Sequence, residues 1–330
     1  MSYSKLRFLV LGAFALTLSF MPAIADVDAW KKDWLQTDFS RHSVDLTEIS
    51  SGGIARDVIL AIDTPTIGDL EKARLVHDAR EPVITVTVNG ATRAYPLTVL
   101  IWHEIVNDTL GGVPITVTFC PLCNTAIVFD RRVGDQELDF GTTGNLRFSD
   151  LVMYDRQTES WWQQFTGEGI VGKFSGESLT IIPSRVEPFG VFDQRFPQAD
   201  VLERPPGFPR NYGVNPYAGY DTADEPFMPG VPKVEGIAPL AYVVAVGSEA
   251  WSLDRLRKEK KIEAGDLVIT WEPGQLSVLD VAYIKESRDI GYVTVQRKTP
   301  AGFQDAIHDL TFAFAFNAFN AFNPDGVLHQ

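Results

Sequence analysis

Runs of four to eight residues with alternating apolar and polar side chains, divided by Gly, Asp and Asn, recur from residue 83 onward and constrain this chain more than any other feature. Alternation puts every second side chain on one face, the pattern of a half-buried strand, and it leaves little room for long helices. The clearest case is VITVTVNGATRAYP, residues 83–96, in which Asn89-Gly90 separates two such runs. That dipeptide accepts the positive φ angles of a two-residue hairpin turn, so the segment is predicted as a β-hairpin. From Ile115 the runs ITVTFC, TAIVFDRRV, ELDFGTTG, DLVMYDR and ESWWQQF follow, with a polar turn at Gly134-Asp135. The expected fold class is mainly β, with antiparallel meander or barrel-like sheets and a few peripheral α-helices; α+β is the alternative.

Helical spacing is local. In PLTVLIWHEIVNDTLGG, residues 96–112, Leu97, Leu100, Ile101, Ile105 and Val106 fall on one helical face, predicting one short helix closed by Gly111-Gly112. Another short helix is expected near Phe189 to Phe196, and a charged one in SLDRLRKEKKIEAG. Residues 183–239 hold more than half of the 20 prolines and read as a Pro/Tyr-rich loop insertion. Near the C-terminus, Phe312, Phe314 and Phe316 alternate and predict one buried strand face.

The first 25 residues set the compartment. Lys5 and Arg7 precede an apolar run from Phe8 to Phe20, and Ala23-Ile24-Ala25 supplies the small residues of a cleavage site. Residues 1–25 are therefore expected to be a signal peptide, residues 26–79 a lead-in segment packed on the domain, and residues 80–330 a single large β-rich domain. Export to the periplasm or the extracellular space is expected, without stable membrane insertion after cleavage. The net charge of −14 becomes −16 when the leader is removed, an acidic balance that disfavours nucleic acid and anionic lipid as partners. The expected partner is an exported protein or a small molecule.

The only two cysteines, Cys120 and Cys123, stand in VTFCPLCNTAIVFD. A chain with 45% apolar residues over this length can build a core without staples, and a bridge across so short a loop restricts the unfolded chain by only about 2 kcal/mol. Three readings stay open. In the first, Cys120 and Cys123 form a catalytic thiol/disulfide redox pair. The β-branched residues after Cys123 predict a strand, so the helix N-terminus that activates a thioredoxin-type thiolate is not expected. In the second, the pair is a β-knuckle holding zinc or copper, with Asn124 accepting positive φ after the turn and His103 as the third ligand. In the third, it is an inert staple.

Other motifs fail on context. HEIVN has Asn107 where a zinc-protease helix needs its second histidine, and GEGIVG is followed by KFSGES rather than by a helix that could hold a pyrophosphate. Arg147, Tyr154, Asp155, Arg156, Trp161 and Trp162 are a candidate groove. Adjacent tryptophans on a strand face opposite sides, so one is expected in the core and the other outward, where it would suit a cell-envelope or carbohydrate-binding module. The plainer reading is an Asp-Arg pair and a Trp on an ordinary sheet surface. Tyr212, Tyr217 and Tyr220 sit in a Gly/Pro loop of the kind held down over sites.

Taken together, AYPLTVLIWHEIVND, GGVPITVTFCPLCNTAIVFDR, FGTTGNLRFSDLVMYDRQTESWWQQFTGEGIVG and NYGVNPYAGY resemble the exported bacterial proteins grouped as domain of unknown function 3179, over roughly residues 80–320. The resemblance implies that the Cys-Pro-Leu-Cys, His-Glu and Met-Tyr-Asp-Arg blocks share one domain. It implies no activity.

Overall fold

Asn89 and Gly90 have φ angles of 49° and 81°, the two left-handed positions that let strand Pro82–Val88 turn into Ala91–Pro96. The register runs from Val83 opposite Pro96 to Val88 opposite Ala91. Strand Ser184–Pro188 adds antiparallel to one side of this hairpin, while Asp200–Leu202 adds parallel to the other and in turn pairs with Ile67–Gly68. Between those two added strands lies the helix Phe189–Arg195, whose Phe189 and Phe192 are buried against the hairpin's Val83 and Ala94. The front of the Pro-rich 183–239 segment is thus structural, a correction to its reading as a loop insertion: Pro183 and Pro188 bracket a strand and do not interrupt it.

This computed structural model describes residues 26–320 and 326–330. The expected signal peptide, residues 1–25, lies outside them. The chain is mainly β, with its largely antiparallel sheets in a propeller-like ring and six helices among the described residues. Besides the five-stranded sheet just described, three sheets have four strands and one other has five. Two of them frame the cysteines. One consists of Ile105–Leu110, Val113–Cys120, Thr125–Asp130 and Thr180–Ile182; the other of Ile49–Ser51, Phe140–Arg147, Asp150–Asp155, Trp161–Gln163 and Gly169–Val171. Among the described residues, no helix is long and apolar enough to cross a membrane.

Two predicted elements end early. The helix at residue 97 stops at His103, because Glu104 takes a left-handed φ of 59° and the chain leaves as strand Ile105–Leu110. Ile105 and Val106 are buried as strand residues, so their helical spacing was coincidental. The C-terminal Phe alternation also does not form one strand. Asp309–Phe312 is a strand, and Ala313–Asn320 is a helix that buries Phe314 and Phe316, for which its alanines are good formers. The end of that aromatic run, residues 321–325, lies outside the described residues.

The segment before residue 80 packs through a separate aromatic cluster. Trp161 lies edge-on to Trp30, Trp34 and Phe39, with ring centroids 5.0, 5.2 and 5.3 Å away. Its neighbour Trp162 faces the other side of the strand and meets Phe140 and Phe174 in the main core.

Candidate functional site

Strands Val113–Cys120 and Thr125–Asp130 pair up to the register Cys120 opposite Thr125, so Pro121-Leu122-Cys123-Asn124 is the whole connection. Pro121 cannot continue the ladder, and Asn124 takes a left-handed φ of 52°. Strand Asp309–Phe312 clamps this turn. The Asn124 side-chain amide donates to Leu310 O at 2.7 Å, and Cys123 O accepts from Thr311 Oγ1 at 2.8 Å and from Phe312 N at 3.2 Å.

A second unusual turn faces the first. Phe148 and Ser149, with φ of 52° and 65°, link Phe140–Arg147 to Asp150–Asp155, so a hairpin turn that favours glycine is made by two non-glycine residues. Such conformations cost on the order of 1–3 kcal/mol each and need support from their surroundings. Here Ser149 Oγ accepts from Met228 N at 2.8 Å, and Ser149 O lies 3.8 Å from Cys120 Sγ. With Glu104 and Asn124, four left-handed non-glycine residues converge on the cysteines.

The result is a buried group of three donors. Cys120 Sγ, Cys123 Sγ and a carboxylate oxygen of Asp150 all lie within 4.8 Å of one another. Both cysteines are free thiols. Asp150 Oδ2 accepts from Gln163 Nε2 at 2.5 Å and Phe165 N at 2.9 Å, whereas Oδ1 is buried with no N–H or O–H donor, only the neighbouring thiols of Cys120 and Cys123. An unpaired buried carboxylate oxygen is costly unless a proton or a cation meets it.

Electrostatics follow from burial. Desolvation raises both thiols above their ordinary range, Cys123 most, and it lifts Asp150 to about 6. Glu104 is lifted to about 8 for the same reason, against a hydrogen bond from Tyr217 OH at 3.3 Å, and its charge acts on Cys120. Burial thus favours the protonated form of both thiols. A bound divalent ion would reverse that balance, and a two-sulfur, one-oxygen donor set suits zinc or copper.

His103, the expected third ligand, is elsewhere. Its Nδ1 is 2.8 Å from Leu60 O and its Nε2 is 2.8 Å from Tyr212 OH, so both ring nitrogens are engaged. The left-handed step at Glu104 brings the next residue toward the cysteines in its place. The candidate groove is also not formed. Trp161 and Trp162 are both fully buried, which removes the outward stacking face that a carbohydrate module would need. Arg147 is buried against Glu48 and Gln163, Tyr154 donates to Asp57, and Arg156 pairs with Asp57 and Asp63. Asp155 accepts from Trp162 Nε1 at 2.9 Å and Thr158 N at 2.6 Å. Arg147, Tyr154, Arg156 and Trp161 thus fix the sheet to the segment before residue 80, while Asp155 and Trp162 bond to each other on the side of the main core. Glu104 and Asp150 are the site residues that sequence reasoning missed. Two non-glycine residues in a tight turn directly before Asp150 left no compositional signal.

A family model described as "Protein of unknown function (DUF3179)" matches residues 56–325. The chain belongs to this family. The match begins before the resemblance that the motifs carried, so the DUF3179 domain takes in the later part of the lead-in segment as well as both turns of the cysteine site. No curated protein and no solved structure matches the chain.

Proposed function

We propose that the protein, exported and cleaved after Ala25, is a metal-binding protein in which Cys120, Cys123 and Asp150 hold one zinc or copper ion. The observation that carries this reading is the enclosed trio of two sulfurs and a carboxylate whose Oδ1 has no N–H or O–H donor. Three protein ligands leave a fourth position open, the arrangement of metal sites that do chemistry rather than only brace a fold. The test is elemental analysis of protein purified under reducing conditions and reconstituted with each metal. About one equivalent is expected in the wild type, and none in Cys120→Ser/Cys123→Ser. Substoichiometric metal after reconstitution would end the proposal.

The spacing of the two sulfurs also favours a second reading, a dithiol that closes to a disulfide by passing two electrons and two protons to a partner disulfide. Burial and the raised thiols make such exchange slow. In that case Cys123→Ser should accumulate a mixed disulfide through Cys120, and cysteines unreactive toward thiol reagents in the native state would exclude it.

A further inference from the structure

Beside the cysteine turn lies a cavity of about 330 Å³, lined by Leu122 from the turn and by Leu151, the neighbour of Asp150. Its size is at the lower end of small-molecule sites, roughly 300–1,000 Å³. Ile59, Ile101, Leu146 and Leu151 make its walls apolar. Its lining also includes three of the large apolar side chains that the protein leaves in water, Ile54, Val58 and Phe227, which are 38%, 52% and 53% exposed. Exposed apolar side chains gathered at one opening mark a ligand entrance more often than an ordinary surface.

Two charged residues reach this lining, Glu104 and Arg210. Glu104 already accepts from Tyr217. Arg210 lies over the Trp102 ring at 5.7 Å and donates weakly to Val58 O at 3.4 Å; among the described residues no carboxylate lies within ion-pair distance of it. In a chain of net charge −14, most of whose arginines are paired with acids, a guanidinium left free at an apolar cavity is a recognition element. We propose that this cavity binds a small, mainly apolar carboxylate, its hydrocarbon part against the leucine and isoleucine walls and its anionic head on Arg210.

The inference stands on the cavity and is independent of the metal reading. Calorimetric titration of the full exported chain with octanoate, octan-1-ol and octylammonium tests it, with metal content measured in the same samples. Octanoate binds best, and octylammonium at least about tenfold more weakly, the scale of one charge-assisted contact. Arg210→Gln weakens octanoate about tenfold and leaves octan-1-ol unchanged. Phe227→Glu, at an exposed position that does not threaten folding, weakens octanoate further than octan-1-ol. Absence of octanoate binding by natively folded wild type, equal binding of octylammonium, or undiminished octanoate binding by Arg210→Gln would each overturn the proposal. Octanoate binding retained in Cys120→Ser/Cys123→Ser, with metal lost, separates the two sites.

Discussion

The Tyr220 hydroxyl donates to Leu122 O at 3.0 Å, and its own oxygen accepts from Phe227 N at 3.1 Å. One side chain thus fastens the long loop to the carbonyl between the two cysteines, while its ring rests edge-on to Phe312. Tyr220→Phe keeps the ring and removes both bonds. It is expected to cost about 1–3 kcal/mol, since Leu122 O and Phe227 N lose a partner, and to speed alkylation of Cys120 and Cys123 in metal-free protein. Denaturant titration and timed thiol labelling measure the two effects; labelling at the wild-type rate would show that the loop does not guard the sulfurs.

The adjacent tryptophans should respond differently to the same replacement. Trp161 Nε1 is buried without a partner, so Trp161→Phe removes an unsatisfied donor along with some packing. Trp162 Nε1 donates to the buried Asp155, so Trp162→Phe leaves a carboxylate short of a donor. Trp162→Phe is therefore the more destabilising by about 1–3 kcal/mol, whereas either alanine variant costs about 3–5 kcal/mol. Urea midpoints of the four variants decide it, and equal midpoints for the two phenylalanine variants would refute the asymmetry.

These contrasts show where the sequence was readable. The Asn89-Gly90 hairpin and the strand after Cys123 could be read because their signals are local, turn residues flanked by alternation. The split between Trp161 and Trp162 was half legible: alternation places them on opposite faces, but only the packing of Trp30, Trp34 and Phe39 makes the second face a core as well. Helical spacing across Leu97 to Val106 could not reveal a left-handed Glu104, since that conformation is imposed by the strand that follows. Asp150 meets Cys120 only through the facing of two hairpin turns, a tertiary relation with no periodicity to announce it.

Asp309 provides a test of stability against pH. Its Oδ1 accepts from Ala126 N at 3.3 Å, its Oδ2 has no partner, and burial together with the nearby Asp150 lifts its carboxyl to about 7 from an ordinary 3.8. Between those values the folded chain holds a proton that the unfolded chain has released. Its contribution is therefore fully present below about pH 4, declines as pH rises to about 7, and is constant above. Glu104 and Asp150 act with the same sign in the metal-free protein. Asp309→Asn, which keeps the acceptor for Ala126 N, should make the decline shallower by one group and stabilise the protein at pH 8 relative to wild type. Urea midpoints at several pH values between 4 and 8 measure this, and parallel curves for the two proteins would contradict it.

Metal binding should have a steep pH dependence that identifies its ligands. Cys120 and Cys123 are raised above the ordinary thiol range, so both carry protons in the metal-free protein at neutral pH, and both must leave when sulfur binds the ion. The logarithm of the apparent affinity should then rise by about two per pH unit between about pH 6 and 8. Below about 6, where Asp150 is also protonated, the slope should steepen toward about three, and Asp150→Asn should weaken binding at every pH and remove that steepening while keeping the slope of about two above it. Competition against a chromophoric chelator, corrected for the chelator's own protonation, gives the slope directly. A value near one would leave a single thiolate on the metal, and a value near zero would take both sulfurs out of the centre.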